Sequence, residues 1–124
     1  MATTTAPRQR GQQAESQRPS AFYDPRLRAY LHEYHARQRE NDEKATEASN
    51  RWLRRKAFLV AYMAQNPHLY GTEAAQREKM ANDWALNDAM DSWSWHQREA
   101  ARCHAAIESA IRMAELSDRY PRRP

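Results

Sequence analysis

Two long stretches of this chain contain neither glycine nor proline, one between Pro25 and Pro67 and the other between Gly71 and Pro121. Glycine and proline are the residues that most often interrupt a helix, so stretches of this length predict two very long helices. The intervening residues 66–72 include both Pro67 and Gly71, and glycine suits a sharp reversal of direction. We therefore expect an all-α chain in which two helices are joined by one corner.

Local signals place the ends of both helices. Asp24 followed by Pro25 is typical of an N-cap and a first helical residue. The first helix should end near Gln65, because the residue that precedes a proline avoids the helical region. Thr72 should cap the second helix, and that helix should end near Ser117. The predicted helices are residues 25–65 and 72–117.

Both predicted helices carry apolar or small residues at alternating steps of four and three. An average step of 3.5 residues is the spacing of a coiled-coil seam. In the first helix the series is Leu27, Leu31, Tyr34, Ala45, Ala48, Trp52, Leu59 and Tyr62, with Gln38, Asn41 and Arg55 as polar members. In the second it is Leu86, Met90, Trp93, Gln97, Ala100, His104, Ile107, Ile111 and Ala114. The two helices are therefore expected to pack against each other along one seam.

Charged residues support an antiparallel arrangement. Folding the second helix back around residue 69 brings oppositely charged side chains to the same level, which favours one register for a helical hairpin. The expected ion pairs are Arg51 with Asp88, Arg55 with Asp83, and Glu40 with Arg98. The same register places Gln38 and Asn41 opposite Ala100 and Gln97, which would form a polar layer in the seam.

A break in the first helix is the alternative. Asn50 follows Ser49, and asparagine is a good N-cap, so a separate helix could begin at Arg51. The chain would then form a three-helix bundle with a break near residues 49–50.

A hairpin of this kind leaves apolar side chains without a partner. Trp93 and Trp95 are two residues apart, or about 200° around a helix, so both cannot enter the same seam. Residues 57–64 are apolar on all sides, which predicts burial on every side near the corner. Aromatic and methionine side chains outside a seam more often mark a protein interface. The expected interface consists of Phe58, Val60, Met63, Met80, Trp84, Trp95 and Met113.

The net charge of +4 comes from the two ends of the chain. Residues 1–23 have three arginines against one acidic residue, and residues 117–124 have the same balance, so the helical part is neutral. This distribution does not favour a dedicated nucleic-acid module, whose folded part needs a basic face. Basic tails that bind nucleic acid remain the alternative. The candidate contacts are Arg8, Arg10, Arg18, Arg54, Lys56, Arg119, Arg122 and Arg123.

Enzymatic chemistry has little support in the sequence. Neither glycine belongs to a phosphate-binding loop, and no nucleophile has both a base and a group that would orient it. His35, Cys103 and His104 fall close together in the proposed register and are weak candidates for a zinc site. No recognised metal motif includes them, so we expect no metal, no cofactor and no catalytic activity.

The sequence thus predicts three parts: a basic arm at residues 1–23 that is extended or bound to a partner, a helical hairpin at residues 24–118, and a basic tail at residues 119–124. A mean hydropathy of −1.13 and a single cysteine suit a cytoplasmic chain or a subunit of a large soluble assembly, and no apolar run is long enough to span a membrane. We expect a non-enzymatic structural or interaction protein. Its partner would be a second copy, which would form a four-helix bundle, or a larger assembly.

Overall fold

The computed structural model describes residues 19–120, and 91% of these residues are helical with no strand among them. The elements are a short 3-10 helix (Ala21–Tyr23), α1 (Pro25–Gln65), α2 (Pro67–Tyr70), α3 (Glu73–Ala81) and α4 (Trp84–Arg119). The predicted all-α class is confirmed. Residues 1–18 and 121–124 lie outside the described part, so most of the predicted arm and tail stay predictions.

Helix α1 begins and ends where its local signals place it. The backbone N–H of Arg26 donates to Oδ1 of Asp24 over 2.9 Å, and Pro25 is the first helical residue. The helix then continues through Ser49 and Asn50 without interruption to Gln65. The three-helix alternative is therefore wrong. Asn50 is a mediocre helix former, but a helix packed along its whole length tolerates one such residue.

The corner is a single turn of helix, α2. The carbonyl of Asn66 accepts hydrogen bonds from the N–H groups of Leu69 and Tyr70, both over 3.1 Å. Gly71 has φ −76° and ψ −11°, so its role is not a left-handed conformation. A Cβ at this position would lie 2.7 Å from the carbonyl oxygen of Pro67, and this close approach is what favours glycine. Thr72 then caps α3, as predicted, by accepting from the N–H of Ala75.

The predicted second helix is wrong as a single element, because it is interrupted at Asn82 and Asp83. Helix α3 ends at Ala81, and the N–H of Asn82 bonds back to the carbonyl of Glu78. Asp83 then caps α4, since its Oδ2 accepts from the N–H of Leu86 over 3.0 Å. Aspartate is among the best N-cap residues, and here this preference ends one helix and starts another without glycine or proline.

The described residues form two compact units, which we call the central unit (His35–His104) and the terminal unit (residues 19–34 and 105–120). Within each unit, a segment of α1 packs against a segment of α4, as the predicted antiparallel hairpin requires. The central unit buries Ala45, Ala48, Leu59, Met63, Leu86, Ala89, Ala100 and Cys103, and the terminal unit buries Ile107 and Ala114. In the terminal unit, the hydroxyl of Ser20 and the N–H of Ala21 donate to the carboxylate of Asp118.

The seam of α4 differs from the predicted series at three positions of the central unit. Ala89, His96 and Cys103 face the seam, whereas Met90, Gln97 and His104 are exposed. Alanine and cysteine let two helices approach closely, so small residues occupy the contact and larger neighbours turn outward. At these positions, each residue that faces the seam therefore lies one residue earlier in the chain than the predicted one.

No helix in the described part of the chain is both long enough and apolar enough to cross a membrane.

Candidate partner interface

The central unit is held in register by an ion pair between α1 and the start of α4. Nε and Nη2 of Arg55 donate to Oδ2 and Oδ1 of Asp83 over 3.0 and 2.7 Å. Asp83 is only 8% exposed, and its hydrogen bonds to Arg55 hold the pKa of its carboxyl below the usual range. The same contact raises the pKa of Arg55. Asp83 therefore caps α4 and fixes α4 to α1 with one side chain.

Two of the three predicted ion pairs form. Arg51 lies 3.6 Å from Asp88, and both side chains are about half exposed. Glu40 instead pairs with Lys44 over 3.0 Å, one turn along its own helix. An exposed pair between neighbouring turns needs less ordering than one between helices, which favours this choice.

A polar layer in the seam joins α1 to α4, as predicted, but through a different residue. Nδ1 of His96 lies 2.8 Å from Oδ1 of Asn41, and both side chains are partly buried. Gln97, the predicted member, is exposed. No sequence signal distinguishes His96 from Gln97, because both residues are polar and they are adjacent.

Four basic residues lie close together in α1, namely Arg51, Arg54, Arg55 and Lys56, and three of them are engaged within the chain. Arg51 and Arg55 have carboxylate partners, and Nζ of Lys56 lies 5.0 Å from the centre of the Trp52 ring. Arg54 is exposed. Of the other predicted nucleic-acid contacts, Arg119 is the last residue of α4, whereas Arg8, Arg10, Arg18, Arg122 and Arg123 lie outside the described residues.

The weak metal candidates are not brought together as a site. Cys103 is buried in the seam, whereas His35 and His104 are exposed. Among residues 19–120, no three histidine, cysteine, aspartate or glutamate side chains converge in a way that could hold a metal ion.

Large apolar side chains dominate the surface of the central unit rather than its core. Only three large apolar residues are buried there: Leu59, Met63 and Leu86. Seven are at least half exposed: Leu53, Phe58, Val60, Leu69, Trp84, Met90 and Trp95. The apolar run 57–64 is thus not buried on every side, because the described residues supply only α3 and the start of α4 to cover it.

The predicted interface residues do not form one surface. Met63 is 6% exposed and belongs to the core, and Met80 is partly buried beside it. Met113 is exposed but lies in the terminal unit. Phe58 and Val60 are two residues apart, so they point to opposite sides of α1. The remaining residues therefore have to be divided between two faces.

We call these two surfaces of the central unit the groove face and the opposite face. The groove face consists of Asp42, Thr46, Ser49, Trp52, Leu53, Lys56 and Val60 from α1, with Met90 and Trp93 from α4. The opposite face consists of Arg51, Phe58, Trp84, Asp88 and Trp95. The assignment follows from the helical period and from a shared hollow of about 240 Å³, lined by Ser49, Trp52, Ala89, Met90 and Trp93.

The groove face is the stronger candidate for a binding surface. Trp93 is 43% exposed and Met90 52%, although the sequence pattern placed both in the seam. With Trp52 they form the walls of the hollow, and buried Ala89 forms its floor. A concave apolar surface with aromatic walls is the usual form of a protein or ligand binding site.

Comparison of the chain with protein-family models, with curated proteins and with solved structures gave no match.

Proposed function

We propose that this protein is a non-enzymatic helical interaction subunit that assembles with other protein through exposed apolar surfaces on its hairpin. The observation that carries the proposal is that more large apolar residues of the central unit are exposed than buried. Seven are at least half exposed, whereas three are buried. Exposed apolar clusters, here divided between the groove face and the opposite face, mark sites of protein interaction.

The core explains why assembly would stabilise the chain. Five of the eight buried apolar residues of the central unit are alanine or cysteine, and each buries little area. Burying apolar surface contributes about 25 cal/mol per Å², so an alanine seam yields much less free energy than the exposed leucine, methionine and tryptophan side chains would yield on assembly. A partner that covers them supplies what the seam lacks.

Sedimentation velocity of the full chain, from low micromolar to several hundred micromolar, tests the proposal. We expect a concentration-dependent species heavier than the 14.6 kDa chain. Tryptophan emission should shift toward shorter wavelength over the same range, because burial removes the indole rings from water. A monomer at every concentration, with emission typical of water-exposed tryptophan throughout, would contradict the proposal.

A further inference from the structure

The groove face carries a second series at coiled-coil spacing along α1. Asp42, Thr46, Ser49, Leu53 and Lys56 follow one another at steps of four and three, and all but Ser49 are exposed. This series runs beside the seam that α1 shares with α4. Such spacing suits a second helix lying along the groove face, because only a helix presents side chains at the matching interval.

The series is symmetric about its middle residue. Asp42 and Lys56 lie seven residues, or two helical turns, on either side of Ser49. If an identical helix runs antiparallel across Ser49, each Lys56 faces the Asp42 of the other copy, and the contact occurs twice. A parallel arrangement places like charges together instead. Asp42 and Lys56 therefore pair with the opposite charges of a second copy only when the two copies are antiparallel.

The same geometry accounts for the hollow. Leu53 is 55% exposed and lies one turn from Ser49, so an antiparallel second copy carries its Leu53 opposite Ala45, at the end of the hollow that Trp93 lines. The hollow measures about 240 Å³. Removing a buried leucine side chain leaves a cavity on the order of 150 Å³, so one leucine fits with room for adjustment. Ser49 is small enough to let the two helices approach at the crossing point.

The area is sufficient for a dimer. The exposed parts of Leu53, Val60, Met90 and Trp93 present on the order of 400 Å² of apolar surface, while a stable interface of standard size buries about 800 Å² per partner, a little over half of it apolar. The exposed polar residues Asp42, Thr46 and Lys56 add polar surface to the same face.

We infer that the partner at the groove face is a second copy of this chain, bound antiparallel about a two-fold axis at Ser49. This inference rests on the proposed function and specifies its partner. Each copy inserts Leu53 into the hollow of the other, and two Asp42–Lys56 pairs flank the axis. The result is a four-helix bundle built from two central units.

Substitutions on the two faces test this interface. Leu53→Glu places a charge in the hollow and should convert the full chain to a monomer, as measured by sedimentation velocity. Trp84→Glu is the matched control, since Trp84 is 77% exposed on the opposite face and should leave the dimer intact. Circular dichroism checks that both variants keep the helical content of the wild type.

A charge exchange tests the orientation without removing any apolar contact. Asp42→Lys and Lys56→Asp should each weaken the dimer several-fold, because each creates two like-charge contacts. The double variant should restore the wild-type dissociation constant. Dimers of equal affinity in all four proteins would overturn the antiparallel arrangement.

Disulfide formation tests the position of the axis. In a Cys103→Ala background, Ser49→Cys should form an intermolecular disulfide under mild oxidation, because equivalent residues meet at a two-fold axis. Glu47→Cys, which is exposed on another side of α1, should not. A dimer that Trp84→Glu disrupts and Leu53→Glu does not would overturn the inference and leave the proposed function standing. A wild-type monomer would overturn both.

Discussion

At the scale of single residues, Asp83 has two structural roles, as the cap of α4 and as the partner of Arg55. Its carboxylate accepts two hydrogen bonds from Arg55 and one from the N–H of Leu86, and it is almost completely removed from water. Replacing it with alanine removes the cap of α4 and leaves Arg55 without its partner. Loss of the cap alone should reduce the free energy of unfolding by about 1 to 2 kcal/mol. Asn82→Ala, at the exposed neighbouring position, is the matched control and should have a smaller effect in urea unfolding.

The lowered pKa of Asp83 also predicts how stability depends on pH. The unfolded chain binds a proton at Asp83 near pH 3.8, whereas the folded chain resists protonation to lower pH, mainly because of Arg55. The stabilisation is therefore fully present above pH 3.8 and is lost as the pH falls through the lowered value. Asp83→Asn removes this contribution while keeping an N-cap. The difference between wild type and Asp83→Asn in the urea midpoint should be clear at pH 7 and shrink progressively below pH 3.8. An equal difference in the urea midpoint at pH 7 and well below pH 3.8 would show that the ionised carboxylate of Asp83 contributes nothing to the free energy of unfolding.

At the scale of helices, the contact between α1 and α4 depends on small residues. Ala100 is 6% exposed in the seam, and its neighbour Ala101 is exposed on the same helix. Ala100→Leu should overpack the seam and lower the free energy of unfolding by about 1 to 3 kcal/mol. Ala101→Leu adds the same side chain with the same helix propensity and should change it by less than about 0.5 kcal/mol. Urea unfolding of the two variants measures the difference. Equal losses would contradict the assignment of Ala100 to the seam.

The helices also show which features a sequence can predict. The caps at Asp24 and Thr72 were predictable because capping depends on a few adjacent residues. The pairing of Arg55 with Asp83 was predictable because folding around the corner fixes the register. The break at Asn82 and the outward position of Met90 were not. The break requires Asp83 to cap α4 while Arg55 holds it against α1, and the position of Met90 depends on how closely α4 approaches α1. Local sequence alone decides neither.

The candidate interface was predictable in kind but not in position. Tryptophans two residues apart had to point to different sides, so exposed apolar surface followed from the sequence. The location of the groove face did not follow, because it requires knowing that Ala89 enters the seam while Met90 and Trp93 turn outward. The hollow beside Ser49 exists only because a small residue occupies the contact beneath it.

At the scale of the whole molecule, folding and assembly should be coupled. If the dimer supplies part of the stability that the alanine seam lacks, the unfolding equilibrium includes protein concentration, and the thermal midpoint of the full chain rises as the chain becomes more concentrated. When the concentration of the chain is a hundred times the dissociation constant of the dimer, association adds about 2.7 kcal/mol of stability per binding event. For a domain of about a hundred residues, this shifts the midpoint by several degrees or more.

Leu53→Glu separates this coupling from the stability of the hairpin itself. Leu53 is 55% exposed, so its replacement removes no core contact within the chain. Its thermal midpoint should therefore be independent of concentration and equal to the value that the wild type approaches at high dilution. Calorimetry of both proteins over a hundredfold concentration range measures this. A wild-type midpoint that does not move with concentration would mean that the hairpin is stable alone, and the exposed tryptophan and methionine side chains would then need a different explanation.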